Sequence, residues 1–175
     1  HKMNSICIAT YNGEKYIKQQ LSSILKQINI DDEVIVSDDD STDNTIKIIE
    51  SLNDKRIKIV HGGFHHFKWN FANALQHANG EYIFLSDQDD IWLPNKVEKM
   101  LHAIEPLDQT LPQALYTNAY LWNPERGILS DKNTLTYPTT IRQTLFLNTG
   151  IQGAAAIFNR KMCEVMAQPL SYYAM

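Results

Sequence analysis

Three of the four residues from Asp87 to Asp90 are acidic, and they directly follow a short apolar run. Alternate residues of an extended chain point the same way, so Asp87 and Asp89 can direct their carboxylates to one point. Two carboxylates so close repel each other unless a cation lies between them. Mg²⁺ and Mn²⁺ take oxygen ligands and share them with substrate phosphates. The segment therefore predicts a divalent metal site rather than a solvated acidic turn.

A second acidic cluster extends from Asp38 to Asp43 and also follows an apolar run. One of its residues suffices to cap the helix that is predicted to begin near Thr45. Helix capping does not account for the presence of Asp38 and Asp39. A carboxylate at either position can accept a hydrogen bond from a nucleobase edge or a sugar hydroxyl.

Strand-like and helix-like segments alternate along the chain. This order predicts an α/β fold with a mostly parallel sheet flanked by helices. The stretch 122–148 is mostly polar and is predicted to be mainly loop. The predicted strands cover residues 5–10, 33–37, 56–60, 82–85, 114–117 and 154–158, and helical spacing of apolar residues occurs in 17–28, 46–52, 71–78, 94–104 and after 160.

The polar clusters occupy equivalent places relative to these strands. Tyr11 follows the first strand, the Asp38 cluster follows the second, and the Asp87 cluster follows the fourth. Ligands of parallel α/β sheets bind beyond the carboxyl ends of the strands. We therefore expect the three clusters to meet at one rim of the sheet.

Size and composition limit the class of protein. The 175 residues suit one domain, predicted to cover residues 3–175, with residues 1–2 as a tag remnant. A net charge of −4 disfavours a nucleic-acid partner. Cys7 and Cys163 are expected to be buried thiols in a reducing cytoplasm. No apolar run approaches the roughly 18–20 residues of a membrane helix, so the expected location is cytoplasmic, including the inner face of the membrane.

Three segments together resemble the family 2 glycosyltransferases, which have the GT-A fold. They are residues 9–14 (Ala-Thr-Tyr-Asn-Gly-Glu), 36–43 (Val-Ser-Asp-Asp-Asp-Ser-Thr-Asp) and 80–94, which contains Asp-Gln-Asp-Asp-Ile-Trp. The last segment is similar to that of bacterial rhamnosyltransferase-type members that build surface polysaccharide. The resemblance covers nearly the whole chain, with the segments in the family's order.

The resemblance implies a nucleotide site at five positions. Tyr11 would pack on the base, with the backbone near Ala9 beside it. Asp39 would accept a hydrogen bond from the base N3–H, and Lys68 would lie near the nucleotide. Asp87 would contact the ribose or the metal. Because uracil and thymine both carry N3–H, UDP- and dTDP-sugars are both expected donors.

The resemblance also implies a metal and sugar site. Asp89 would bind Mn²⁺ or Mg²⁺ directly, with Asp87 close by. Asp90 and Trp92 would lie near the donor sugar or the acceptor, and Gly153 would line the acceptor side. The implied acceptor is a saccharide or a lipid-linked saccharide.

Family members invert the anomeric centre by direct displacement, which requires a general base to deprotonate the acceptor hydroxyl. In the family this base lies in a His-Asp-Trp-Trp-like run, and the chain contains none before Met175. We therefore expect a domain that lacks its C-terminal part, binds donor and transfers poorly. Robust turnover would instead indicate a base such as Asp131 or Glu164.

Other classes of protein explain fewer of these residues. A haloacid-dehalogenase-type phosphatase places its Asp-x-Asp after the first strand, and it usually has Thr or Val where Ile91 stands. A receiver domain would leave the Asp87 cluster unused. A nucleotidylyltransferase needs a glycine-rich loop after the first strand. A non-catalytic nucleotide-sugar-binding module stays open.

Overall fold

The computed structural model describes residues 2–87, 91–116, 122–123, 127–128 and 156–167. Elements alternate through most of this part of the chain. The helices are α1 (Ile17–Leu25), α2 (Thr45–Ser51), α3 (Phe67–His77), α4 (Lys96–Ile104) and α5 (Arg160–Met166). The strands are β1 (Asn4–Thr10), β2 (Glu33–Asp38), β3 (Ile57–His61), β4 (Tyr82–Asp87), β5 (Ala114–Tyr116), β6 (Trp122–Asn123), β7 (Gly127–Ile128) and β8 (Ala156–Asn159).

Six of these strands form one sheet in the order β3-β2-β1-β4-β8-β5. The first four strands pair in parallel, and β8 pairs antiparallel with both β4 and β5. The prediction of a mostly parallel α/β sheet flanked by helices is confirmed. β8 therefore makes the far edge of the sheet antiparallel. The apolar run at 154–158 could not predict this, because an apolar run is the same for a parallel and an antiparallel strand.

The central strands are buried on both faces. Ile6 and Ile8 belong to one apolar cluster with α1 and α4, whereas Cys7 belongs to the other with α3 and α5. Helices on both sides of β1 explain why its sequence is continuously apolar. Both cysteines are free and buried, as predicted, and burial raises the pKa of Cys163 to about 11.

α3 and part of the stretch 122–148 differ from what the sequence predicts. α3 begins at Phe67 rather than near residue 71, because a ring nitrogen of His66 caps the helix by accepting from the Lys68 amide at 3.2 Å. Histidine is not among the residues that usually signal a helix start. The stretch predicted to be loop contains the short hairpin of β6 and β7.

The amino end of the sheet is held by a buried carboxylate. Glu33 accepts hydrogen bonds from the Ser5 hydroxyl, the Asn79 amide and the Lys58 ammonium over 2.6–2.7 Å. Burial alone would raise the pKa of Glu33, but these donors outweigh it and lower the pKa below its ordinary value. The group therefore stays ionised and ties β1, β2 and β3 together, away from the rim that carries the polar clusters.

Within the described residues, every helix is too short or too polar to cross a membrane.

Candidate functional site

The strand register brings the predicted clusters to one rim. Ala9 is paired with Ser37 on one side and with Asp87 on the other, so three strand ends lie side by side. Thr10 pairs in turn with Asp38, and Asp38 with His61. Residues that follow β1, β2, β3 and β4 therefore leave the sheet at the same edge.

The loops after β1 and β2 are joined through one asparagine side chain. Asn12 has a positive φ of 48°, and its Oδ1 accepts from the backbone amides of Thr42 and Asp43 at 2.8 and 3.3 Å. Asparagine tolerates this left-handed conformation better than most residues. The turn leaves Tyr11 at the rim with 52% of its surface exposed, which is accessible enough for a flat ligand to stack on it.

Asp38 stabilises its own loop. Its Oδ1 accepts from the Ser41 hydroxyl at 2.5 Å and its Oδ2 accepts from the Ser41 amide at 3.0 Å. Both carboxylate oxygens are thus engaged in a local turn. A contact of Asp38 with a base edge or a sugar hydroxyl stays a prediction.

Asp39 is 5% exposed and connects β2 to the loop after β3. Its Oδ1 accepts from the backbone amides of Phe64 and His65 at 2.7 and 2.9 Å. The sequence did not predict this structural role, since the loop comes 25 residues later. The contact with a base stays a prediction, and Oδ2 is the oxygen through which it could be made.

Asp40 adds a second link between the same two loops. It has a positive φ of 61°, and its two carboxylate oxygens lie 3.5 Å from His61 Nε2 and 3.4 Å from His65 Nε2. All three side chains are exposed. His61 is the last residue of β3 and His65 lies in the loop after it, so both lie on the rim beside the Asp38 cluster.

Lys68 lies in the first turn of α3, partly buried, next to the capping residue His66. The helix follows the loop that Asp39 holds. Lys68 therefore lies near the carboxyl edge of the sheet, where the loop after β3 leads into α3. Its contact with a nucleotide stays a prediction.

The acidic segment after β4 is described only where it begins. Asp87 is the last residue of the strand and pairs with Ala9. Asp89, Asp90 and Gly153 lie outside the described residues. Among residues 2–87, 91–116 and 156–167, no cluster of His, Cys, Asp and Glu could hold a metal ion by itself.

Trp92, which the resemblance places near the donor sugar or the acceptor, is buried in the described structure. The side chain is 2% exposed, packs against the Phe84 ring at a centroid distance of 5.7 Å, and donates from Nε1 to Ser86 Oγ at 3.1 Å. Gln20 Nε2 donates to the same hydroxyl at 2.8 Å. The tryptophan is therefore part of the core next to the end of β4, and its place near a donor or acceptor sugar stays a prediction.

Asn70 is a rim residue that sequence reasoning missed. It lies in α3, is 2% exposed, and makes hydrogen bonds to both β1 and β2. The one available signal was an asparagine directly before a predicted helix, which is too common to single it out.

The sequence profile of glycosyl transferase family 2 matches residues 5–166. The chain therefore belongs to this family, as the three segments and their order implied.

Characterised relatives agree with this class. The chain is 40% identical over 99 residues to the UDP-Glc:α-D-GlcNAc-diphosphoundecaprenol β-1,3-glucosyltransferase WfgD of Escherichia coli, over 55% of this chain and 39% of that protein. It is 35% identical over 105 residues to the dTDP-rhamnosyl transferase RfbG of Shigella flexneri, over 55% of this chain and 36% of that protein. The chain thus spans less than half the length of these relatives.

Solved structures agree on the fold. The TarS protein of S. aureus, crystallised with UDP-GlcNAc, superposes with a TM-score of 0.52 at 32% identity, over 59% of this chain and 31% of TarS. The mannosyltransferase PcManGT of Pyrobaculum calidifontis gives a TM-score of 0.57 at 24% identity, over 70% of this chain and 36% of that protein. The second likeness supports the fold alone. The expected GT-A architecture is confirmed.

Proposed function

We propose that this domain binds a UDP- or dTDP-sugar and, within its whole protein, transfers the sugar to a saccharide or lipid-linked saccharide during the synthesis of a surface polysaccharide. The observation that carries the proposal is the strand register. Ala9, Ser37 and Asp87 lie abreast at the carboxyl edge of the sheet, where the three family segments meet.

The base is proposed to bind between Tyr11 and Asp39. An exposed tyrosine ring offers a flat apolar face on which a nucleobase can stack. Asp39 Oδ2 would accept from N3–H, while Oδ1 stays with the loop amides. A pyrimidine with N3–H fits this arrangement. The names of two relatives point the same way, since one uses UDP-Glc and the other a dTDP-linked rhamnosyl group.

The acidic segment is proposed to bind Mn²⁺ or Mg²⁺ together with the donor's pyrophosphate. The described residues offer Asp87 at the strand end and no complete ligand cluster. Mg²⁺ usually takes one or two carboxylates and completes its coordination with phosphate and water, so the carboxylates of Asp87 and Asp89 would be enough. When bound, the cation would supply charge stabilisation for the departing nucleoside diphosphate. Asp89 is the proposed direct ligand, and Asp87 would contact the ribose or the metal.

The acceptor side depends on residues outside the described part of the chain. Asp90 and Gly153 are proposed to lie near the sugars, and an inverting displacement would need a carboxylate base on the opposite face of the donor sugar. The Escherichia coli relative WfgD, which is named for a diphosphoundecaprenol-linked substrate, supports a lipid-linked acceptor. Lys68 is proposed to lie close enough to the nucleotide to favour its negative charge.

A thermal-shift screen of UDP- and dTDP-sugars, with and without Mn²⁺, tests the donor and the metal together. Ligands that bind only the folded state raise the melting temperature by mass action. We expect a pyrimidine nucleotide-sugar to raise it, with a larger rise when Mn²⁺ is present. The variant Asp89→Ala should lose the Mn²⁺-dependent part, whereas the control Asp31→Ala, an exposed aspartate in the loop before β2, should keep it. A rise with GDP-sugars alone would overturn the proposed donor class.

A further inference from the structure

Asn70 uses its whole side-chain amide on the ends of two strands. Its Oδ1 accepts from the Ser37 hydroxyl at 2.6 Å, and its Nδ2 donates to the carbonyl oxygens of Ser37 at 2.9 Å and Thr10 at 3.3 Å. The side chain is buried, so these bonds are shielded from water. An amide is the group that can both accept the hydroxyl proton and donate twice to carbonyl oxygens.

The strand positions that Asn70 holds are adjacent to the proposed base contacts. Thr10 immediately precedes Tyr11, and Ser37 lies two residues before Asp39. The Thr10 carbonyl also accepts from the Asp39 amide at 3.0 Å. Tyr11 and Asp39 directly follow β1 and β2, where the regular hydrogen bonds between strands end. Their positions therefore depend on hydrogen bonds such as those from Asn70 to the strand ends.

Hydrogen bonds from Asn73 and Gly62 connect β3 to the same strand ends. Asn73 Nδ2 donates to Ser37 Oγ at 2.8 Å and to the His61 carbonyl at 3.0 Å. The Gly62 amide donates to the Asp38 carbonyl at 2.7 Å. The ends of β1, β2 and β3 are thus fixed to one another and to the first turns of α3.

We propose that Asn70 is a positioning residue for nucleotide binding, a buried amide that sets the relative placement of Tyr11 and Asp39. The inference rests on the proposed function, since it assumes that these two residues bind the base. Asn70 lies beneath the site, so its effect reaches the ligand through the backbone of Thr10 and Ser37. Loss of Asn70 should therefore weaken binding of the base and leave binding of the pyrophosphate unchanged.

The test compares Asn70→Asp and Asn70→Leu with the wild-type chain. Aspartate has the same shape but replaces the donor with an oxygen that faces two carbonyl oxygens, and leucine removes every hydrogen bond. Asn53→Asp is the matched control, because Asn53 is exposed at the end of α2. Dissociation constants for UDP, dTDP and Mn²⁺-pyrophosphate would be measured by calorimetry at a temperature where far-UV circular dichroism shows each variant folded.

We expect both Asn70 variants to bind the nucleotide about tenfold more weakly or worse, which corresponds to about 1.4 kcal/mol. Their affinity for Mn²⁺-pyrophosphate should stay within about twofold, and Asn53→Asp should match wild type. A purely structural role would lower the melting temperature without this separation. If the Asn70 variants fail to fold, Ser37→Ala tests the same link, since it removes the hydroxyl that donates to Asn70 Oδ1 and leaves the two bonds from Nδ2. We then expect a smaller loss of nucleotide affinity with the same separation from Mn²⁺-pyrophosphate, and an unchanged nucleotide affinity would overturn the positioning role.

Two negative results have different meanings. Unchanged nucleotide affinity in a folded Asn70 variant, or an equal loss for nucleotide and Mn²⁺-pyrophosphate, would overturn the positioning role alone. If wild type bound neither UDP nor dTDP, the proposed function would fail and the positioning role with it.

Discussion

Gly62 lies directly against Asn70, so that a Cβ on the glycine would overlap the asparagine Oδ1 and would lie 3.1 Å from the Asp38 carbonyl oxygen. The close approach lets the Gly62 amide reach that carbonyl. A larger residue would not fit at this position, where β2, β3 and α3 meet. Gly62 is the first residue of the loop after β3, whose Phe64 and His65 amides donate to Asp39.

Gly62→Ala should destabilise the domain by about 1–3 kcal/mol, the usual cost of added volume in a packed site. Urea denaturation followed by far-UV circular dichroism measures the change. Asn70→Ala removes the oxygen that the new methyl group meets, so the double variant should be more stable than the sum of the single losses predicts. Additive losses would mean that the two residues do not compete for space.

Asp39 is expected to have two separable roles. In Asp39→Asn, the retained oxygen can still accept from the Phe64 and His65 amides, but the second position becomes a donor that faces the base N3–H. Stability should therefore stay close to wild type while affinity for UDP falls at least about tenfold, or about 1.4 kcal/mol.

Asp39→Ala serves as the comparison because it removes both roles. We expect it to lose nucleotide affinity and also about 1–3 kcal/mol of stability, since two loop amides lose their acceptor. Calorimetry with UDP and urea denaturation give the two quantities. Full UDP affinity in Asp39→Asn would exclude the proposed base contact.

Trp92 and Trp69 should respond differently to the same substitution. Trp92→Phe removes the indole N–H that donates to Ser86 and leaves a gap beside Phe84, so we expect a loss of about 1–3 kcal/mol. Trp69 is 40% exposed, and Trp69→Phe should change stability by less than about 0.5 kcal/mol. Equal effects in urea denaturation would contradict the packing role of Trp92.

The sequence predicted the rim because the ends of strands can be read from apolar runs, and the carboxyl ends of parallel strands lie at one edge of the sheet. Ala9, Tyr11 and Asp39 therefore lie where the predicted strand ends placed them, at the carboxyl edge of a mostly parallel sheet. It did not predict that Trp92 points into the core, since an aromatic residue after an acidic segment has the same sequence signature in either place. It also missed Asn70 and the second role of Asp39, because both depend on partners 25 or more residues away in the chain.

Glu33 should make the stability of the domain fall as the solution is acidified. Hydrogen bonds from Lys58, Ser5 and Asn79 outweigh the burial of this carboxylate and lower its pKa in the folded state. An unfolded chain has the ordinary value of about 4.3, so it binds more protons than the folded chain below that pH. The contribution of Glu33 is therefore complete above about pH 4.3 and is lost as pH falls through the lower, folded-state pKa.

Glu33→Gln should lower stability at pH 7 and flatten the decline of unfolding free energy between about pH 5 and pH 3. Urea denaturation at a series of pH values gives both quantities. Glu81→Gln is the matched control, because Glu81 is an exposed glutamate directly before β4. Its decline of unfolding free energy with falling pH should match that of the wild type. An acid profile that is the same in Glu33→Gln and wild type would show that the buried carboxylate does not link β1, β2 and β3 in the way its hydrogen bonds indicate.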